Sequence, residues 1–205
     1  MAFIKEESEE VKIEEAFRVE HKNIDEQKEK VVWIVGHNCI KWAERRAEAA
    51  WEPNLGLQKT SVHWLWKEDM RWSQLLDVVL ATGVRPDVLV IHAGGNDLGL
   101  MRSVDLLSSM KKDLSVLQKC TDATVIFSGI TERHVWRCGE GPKINKARKF
   151  VNSVMAKHMT NMGGEFIDNK EITIKRRELF GWDGVCLSDE GNDIFLRNLA
   201  SAISK

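Results

Sequence analysis

The pentapeptide Val31-Val32-Trp33-Ile34-Val35, apolar at every position and ended by Gly36, constrains the fold more than any other stretch. A run with no polar face belongs to a strand covered on both sides, as in a parallel sheet between helices. Asp87-Val88-Leu89-Val90-Ile91-His92 repeats the pattern, bounded by Pro86 and by Gly94-Gly95. Residues 61–66 alternate weakly and read as another strand, and residues 123–127 and 165–168 add two short β-rich runs. Helical stripes lie between them. Residues 40–51 are Ala-rich with alternating charges, residues 70–81 stop near Gly83 and Pro86, and residues 104–117 carry Leu106, Met110, Leu114 and Leu117 on one stripe. Ile144, Val151, Met155 and Met162 then repeat at helical spacing before Gly163-Gly164, and residues 189–203 form a last helix capped by Ser188 or Asp189. The alternation predicts an α/β fold: a three-layer α/β/α sandwich around a central parallel sheet of about five strands, flavodoxin-like. Ligands of such folds sit where loops leave the carboxyl ends of the strands, which points to the loops after Val35, Trp66, His92 and Phe127.

Charge divides the chain. Residues 1–30 hold ten acidic and six basic residues, a net of −4, whereas the other 175 hold 21 acidic and 24 basic, a net of +3. The first segment has too few large apolar groups to offset its ordering entropy, so it is expected to be an acidic, disordered or partly helical leader, with one domain over 31–205. A net charge of −1 argues against a general nucleic-acid surface. No run of 18 apolar residues offers a membrane span, and the acidic start does not read as a secretory signal. The expected location is intracellular, cytoplasmic or nuclear. Cys39, Cys120, Cys138 and Cys186 lie far apart with no Cys-x-x-Cys pair, so reduced thiols are expected, with no metal and no cofactor.

Three loops could carry chemistry. In Gly36-His37-Asn38-Cys39, a short polar residue between strand and helix stands where a nucleophile or an N-cap belongs; Asn38 can cap, but a carboxamide is no hydroxyl nucleophile. Cys39 beside it is either a buried thiol or one activated at the helix terminus. In His92-Ala93-Gly94-Gly95-Asn96-Asp97, Gly94 and Gly95 admit close approach of a ligand and Asn96 offers an amide donor to an oxyanion; the alternative is a tight turn with Asn96 or Asp97 capping the next helix. In Asp183-Gly184-Val185-Cys186, an acid stands three residues before the place of a base, but that place holds a thiol.

Taken together, Val31 to Asn38, Asp87 to Asp97 and Asp183 to Ser188 resemble the SGNH hydrolases, the GDSL-like esterases and lipases, across nearly all of 31–205. The phrase Gly191-Asn192-Asp193-Ile194-Phe195-Leu196 is similar to esterase-like domains of vertebrate retroelements. The resemblance implies a serine nucleophile where this chain has Asn38, an oxyanion glycine in a stretch, 60–82, without glycine, an oxyanion asparagine at Asn96, a triad acid at Asp183 and a histidine base where Cys186 stands. Asp69 or a neighbour falls near the missing glycine and would bring negative charge to the hole. His158 is the last histidine and lies within a predicted helix, leaving no replacement base after Asp183.

The leader Met1-Ala2-Phe3-Ile4-Lys5-Glu6-Glu7-Ser8-Glu9 resembles that of fish zinc-finger proteins, and Lys5 and Lys12 each sit in an apolar-Lys-x-acid pattern suited to SUMO conjugation. Trp42, Trp51, Trp64, Trp66 and Trp72 read chiefly as core, with an apolar pocket or partner surface as the alternative. Lys143, Lys146, Arg148 and Lys149 read as a solvated helix face. The implied function is a catalytically degenerate esterase-like domain, a binding module or retroelement relic with a small acyl or ester-like ligand or a protein partner. The alternatives are a weak ester hydrolase using Cys39 or water, and a nuclear regulatory protein acting through its leader.

Overall fold

The computed structural model describes residues 29–205. The leader, with Lys5 and Lys12 and its resemblance to zinc-finger proteins, lies outside the described residues. Five strands, β1 (Lys30–Gly36), β2 (Thr60–Trp66), β3 (Val88–His92), β4 (Thr124–Ser128) and β5 (Glu165–Ile167), form one sheet in the order β2-β1-β3-β4-β5. Every pairing is parallel. The helices are α1 (Asn38–Ala50), α2 (Leu75–Leu80), α3 (Ser103–Thr121), α4 (Gly141–Asn161) and α5 (Asp189–Ile203). This is the three-layer sandwich that the sequence implies.

The all-apolar strand runs are explained by burial on both faces. Trp33, Val35, Leu89 and Ile91 point into a cluster with Leu106, Met110, Leu114, Val151 and Met155 of α3 and α4. Their strand neighbours Val32, Ile34, Val88 and Val90 point the other way, against Ile40 and Ala43 of α1 and Phe195 and Leu199 of α5. Period-2 alternation between two cores leaves no polar position in Val31–Val35 of β1 or Val88–Ile91 of β3.

Two expectations change. Residues 70–81 are not one helix: a 3-10 turn (Trp72–Gln74) leads into the six-residue α2. The reason is that the backbone before it is committed elsewhere. Asn96 Nδ2 donates to Met70 O at 3.0 Å, and the Trp72 N–H donates to Asp97 Oδ2 at 2.9 Å. Nor are the tryptophans uniformly core. Trp72 is buried in the α3/α4 cluster, and Trp51 and Trp64 pack, half-buried, against the cluster on the other face of the sheet, but Trp42 and Trp66 are exposed, covered by Arg45 and Lys41 respectively at 4.9 and 4.7 Å from the ring centroids. Arg148 also departs from the solvated face expected of it, because its guanidinium turns inward to Glu132 at 3.0 Å and to Ile130 O at 3.1 Å. No helix among the described residues is long and apolar enough to cross a membrane.

Candidate functional site

The strand order reverses at β1: the chain leaves β1 for β2 on one side and returns to β3 on the other. The crevice at that switch, at the carboxyl ends of β1 and β3, collects the polar side chains singled out by the sequence. Gly36 and His92 are register partners there. A Cβ on Gly36 would stand 2.3 Å from His92 O and 2.6 Å from Ile40 Cγ1, so only glycine lets β1 lie this close to β3 as it turns into α1.

His37, not Asn38, caps α1: its Nδ1 lies 3.2 Å from the Cys39 N–H. Asn38 is the first helical residue and sends its side chain across to the next loop, where Oδ1 accepts the Asp69 N–H at 2.8 Å. Asp69 takes φ 54°, the left-handed region that favours glycine. The stretch without glycine therefore still builds a glycine-type backbone, with its N–H turned to the site. The carboxylate of Asp69 is not aimed at that N–H's target but pairs with Arg137. The negative charge expected at this point is directed away.

Asn96 is buried and does not cap a helix; nor does Asp97. Asn96 Oδ1 accepts from Arg133 Nη1 at 3.0 Å while its amide donates to Met70 O. Arg133 is the residue that the sequence reading missed. It is 3% exposed, its Nη2 lies 3.0 Å from His37 Nε2, and its guanidinium stands 5.3 Å from the Trp136 ring centroid. A Cβ on Gly95 would fall 2.6 Å from Arg133 Nη2, so Gly95 makes room for this side chain; Gly94, at φ 95°, packs against Met110. No sequence motif flags an arginine in a loop, and only the crowding of Gly95 and Asn96 around it discloses the role.

Asp183 and Cys186 reach the same crevice. Asp183 Oδ1 accepts the Val185 and Cys186 N–H groups at 2.9 and 3.0 Å, an Asx turn that fixes Cys186. The Cys186 and Cys39 thiols share a hydrogen bond. That bond, against the opposing effect of burial and helped by His37 and His92, holds the Cys39 thiol well below its ordinary value. Cys186 is pushed up, first by its bond with Cys39, then by burial and by the negative charge of Cys39 and Asp183. Burial lowers the His37 imidazole. His158 lies in α4, outside this group.

His37, Cys39 and His92 also present ligand-type atoms all within 4.8 Å of one another, a grouping that the scattered sequence positions hide. His37 and His92 rings are 5.4 Å apart, and His92 Nδ1 lies 3.1 Å from Ser128 Oγ. An outer cleft of about 360 Å³ adjoins Asp183, lined by His134, Val135, Arg177, Phe180 and the fully exposed Trp182.

No family model matches the chain, and no curated protein matches it. Solved structures do. A member of the lipolytic G-D-S-L family from Veillonella parvula superposes with TM-score 0.68 at 11% identity, covering 86% of this chain and 99% of that one. A phospholipase A1 from Streptomyces albidoflavus gives 0.64 at 14% identity, covering 85% and 99%. A lipase/acylhydrolase from Enterococcus faecalis gives 0.63 at 16% identity, covering 85% and 95%. The fold of this chain is that of the SGNH, or GDSL-type, acylhydrolases.

Proposed function

We propose that the domain is a catalytically degenerate SGNH-type domain that works as a binding or interaction module, in keeping with a retroelement-type relic. The observation that carries this reading is the 2.8 Å hydrogen bond from the Asp69 N–H to Asn38 Oδ1. At the start of α1, where the resemblance implies a serine, a carboxamide stands instead, and it occupies the backbone donor that would otherwise face an oxyanion. Cys186 stands where the base is implied, and it is a thiol whose proton is held more tightly than usual. Loss of a triad serine or histidine lowers turnover by up to about 10⁶-fold, and an oxyanion hole with binding alone leaves roughly 10³–10⁴ over water. The cleft beside Asp183, with Trp182 at its rim, suits a small acyl or ester-like ligand or an apolar segment of a protein partner.

A second reading, weak ester hydrolysis through Cys39, is favoured by the lowered thiol next to His37 and opposed by its burial at 2% exposure, which leaves no room for an acyl group. One assay separates them. With p-nitrophenyl acetate the purified chain is expected to show no turnover above buffer. Turnover abolished by Cys39→Ala would overturn the degenerate reading and establish the thiol route.

A further inference from the structure

Arg133 carries a charge that the chain itself does not answer. It is buried, it makes no ion pair with a carboxylate among the described residues, and its Nε has no partner. A guanidinium has five N–H donors and stays protonated in proteins. Among the described residues only Asn96 Oδ1 accepts from it outright, at 3.0 Å. His37 Nε2, 3.0 Å from Nη2, can only be a shared acceptor, because a neutral imidazole has one acceptor nitrogen and His37 Nδ1 already faces the Cys39 backbone N–H. The Trp136 ring, its centroid 5.3 Å away, adds a weaker contact. An uncompensated buried charge is strongly unfavourable, so a seat built for one without a counter-charge points to an anion from outside the chain.

Two further positive features stand beside it. The guanidinium touches His37, the cap of α1, and the first turn of that helix holds no acidic residue, so its positive end is unanswered too. The Asp69 N–H is the second, and its acceptor is the side chain of Asn38, the first residue of α1. Met70, the next residue, ties this donor to Arg133: its carbonyl accepts from the Asn96 amide, whose oxygen takes Arg133 Nη1. Asp183 does not serve as the counter-charge. Its Oδ1 accepts the Val185 and Cys186 N–H groups, and it is within ion-pair distance of no described cation. The Asn38–Asp69 bond, by contrast, is exposed, so the carboxamide can be displaced without unpacking the core.

We propose that the crevice binds a small carboxylate, anchored by Arg133 and taking the Asp69 N–H from Asn38. The inference rests on the binding-module reading above and gives that module its ligand class: an acyl anion rather than a neutral ester. A carboxylate matches the fork of a guanidinium, and its single charge balances that of Arg133, whereas a phosphate at neutral pH would bring more. Asn38 is then a neutral plug, a carboxamide standing in for the carboxylate when the site is empty of ligand. The apolar end of the acyl anion has a place to go. Val135, two residues on from Arg133, and Phe180 line the cleft beside Asp183.

The test titrates the full chain with sodium butyrate by isothermal titration calorimetry, with ionic strength held by sodium chloride, and compares butyramide, its uncharged isostere. Saturable binding of butyrate is expected, at least about tenfold tighter than that of butyramide, because hydrogen bonds between charged groups are roughly twice as strong as neutral ones. Asn38→Ala, which frees the Asp69 N–H, is expected to bind butyrate about three- to tenfold more tightly. Arg133→Met is expected to lose the preference for butyrate over butyramide; should that variant fail to fold, the comparison of the two ligands on the parent decides. Equal affinity for the two, an unchanged preference in Arg133→Met, or no saturable binding of butyrate to the parent and to Asn38→Ala overturns the proposal. Turnover of p-nitrophenyl acetate by the same preparation is scored separately. Turnover counts against the degenerate reading whatever butyrate does, and no turnover with no butyrate binding removes only the carboxylate site.

Discussion

Asn38 and Asp69, 31 residues apart, are joined by a 2.8 Å hydrogen bond from the backbone of one to the side chain of the other, so the first loop of the fold is latched to the second. Asn38→Ala removes the acceptor at a partly exposed site and is expected to cost about 0.5–1.5 kcal/mol, read by urea denaturation. At Asp69 the backbone matters more than the side chain. Asp69→Gly suits φ 54° and loses only an exposed ion pair, so its stability is expected to stay within about 1 kcal/mol of the parent. Asp69→Val, a branched residue forced into that region, is expected to lose about 1–2 kcal/mol.

Gly95→Ala tests the seat of Arg133. The added methyl would press on Nη2 from 2.6 Å, forcing the guanidinium off Asn96 and His37. A loss of about 1–3 kcal/mol is expected in chemical denaturation. Alkylation of Cys39 by a small reagent is expected to slow as well, since the cation that favours its anion has moved; an unchanged rate would mean that Arg133 has no influence on the thiol.

Acid stability follows from His37. Burial holds its ring below the ordinary value of about 6.5, so on acidification the unfolded chain takes up the proton first. The contribution is fully present above about pH 6.5 and is lost as the pH falls from there to the folded value, with a slope of up to about 1.4 kcal/mol per pH unit. His158, also lowered by burial and then by Lys111, adds a loss of the same sign. Denaturation midpoints measured from pH 7.5 to 5 should decline in the parent, less in His37→Asn, and least in His37→Asn/His158→Gln.

Glu132 ties three segments together. It accepts from Arg148 at 3.0 Å, from Thr173 Oγ1 at 2.8 Å and from the Ile174 N–H at 2.8 Å, binding the loop after β4 to α4 and to the 170s segment. Glu132→Ala leaves the Arg148 guanidinium inside without its carboxylate and is expected to cost about 3–5 kcal/mol. The paired Glu132→Met/Arg148→Met variant should recover much of that, as calorimetry would show.

The sheet was legible because Val31–Val35 of β1 and Val88–Ile91 of β3 are apolar throughout, and that pattern has one common structural cause. The glycine boundary, the N-cap at Ser188 and the stripe on α3 were equally local signals. Residues 70–81 misled because their apolar spacing is helical, while two side chains from the β3 loop, 25 and 26 residues onward, claim the Trp72 N–H and Met70 C=O. In the site, Asn38, Asn96, Asp183 and Cys186 could be named from short phrases whose order and spacing matched. Arg133, His37 and His92 could not. Their importance comes from the crossing of β1 with β3 and from a loop folding over both, contacts of 36 to 96 residues' separation that leave no periodicity in the chain.

Lys30 Nζ donates to Ile203 O at 2.7 Å, so the first strand begins against the end of the last helix. The two ends of the described chain therefore meet at the foot of the sheet, about one strand length, roughly 20 Å, from the crevice at its top. Residues 30 and 205 could be joined by a short linker and the chain reopened in the exposed segment near Gly83, giving a circular permutant with every strand pairing intact.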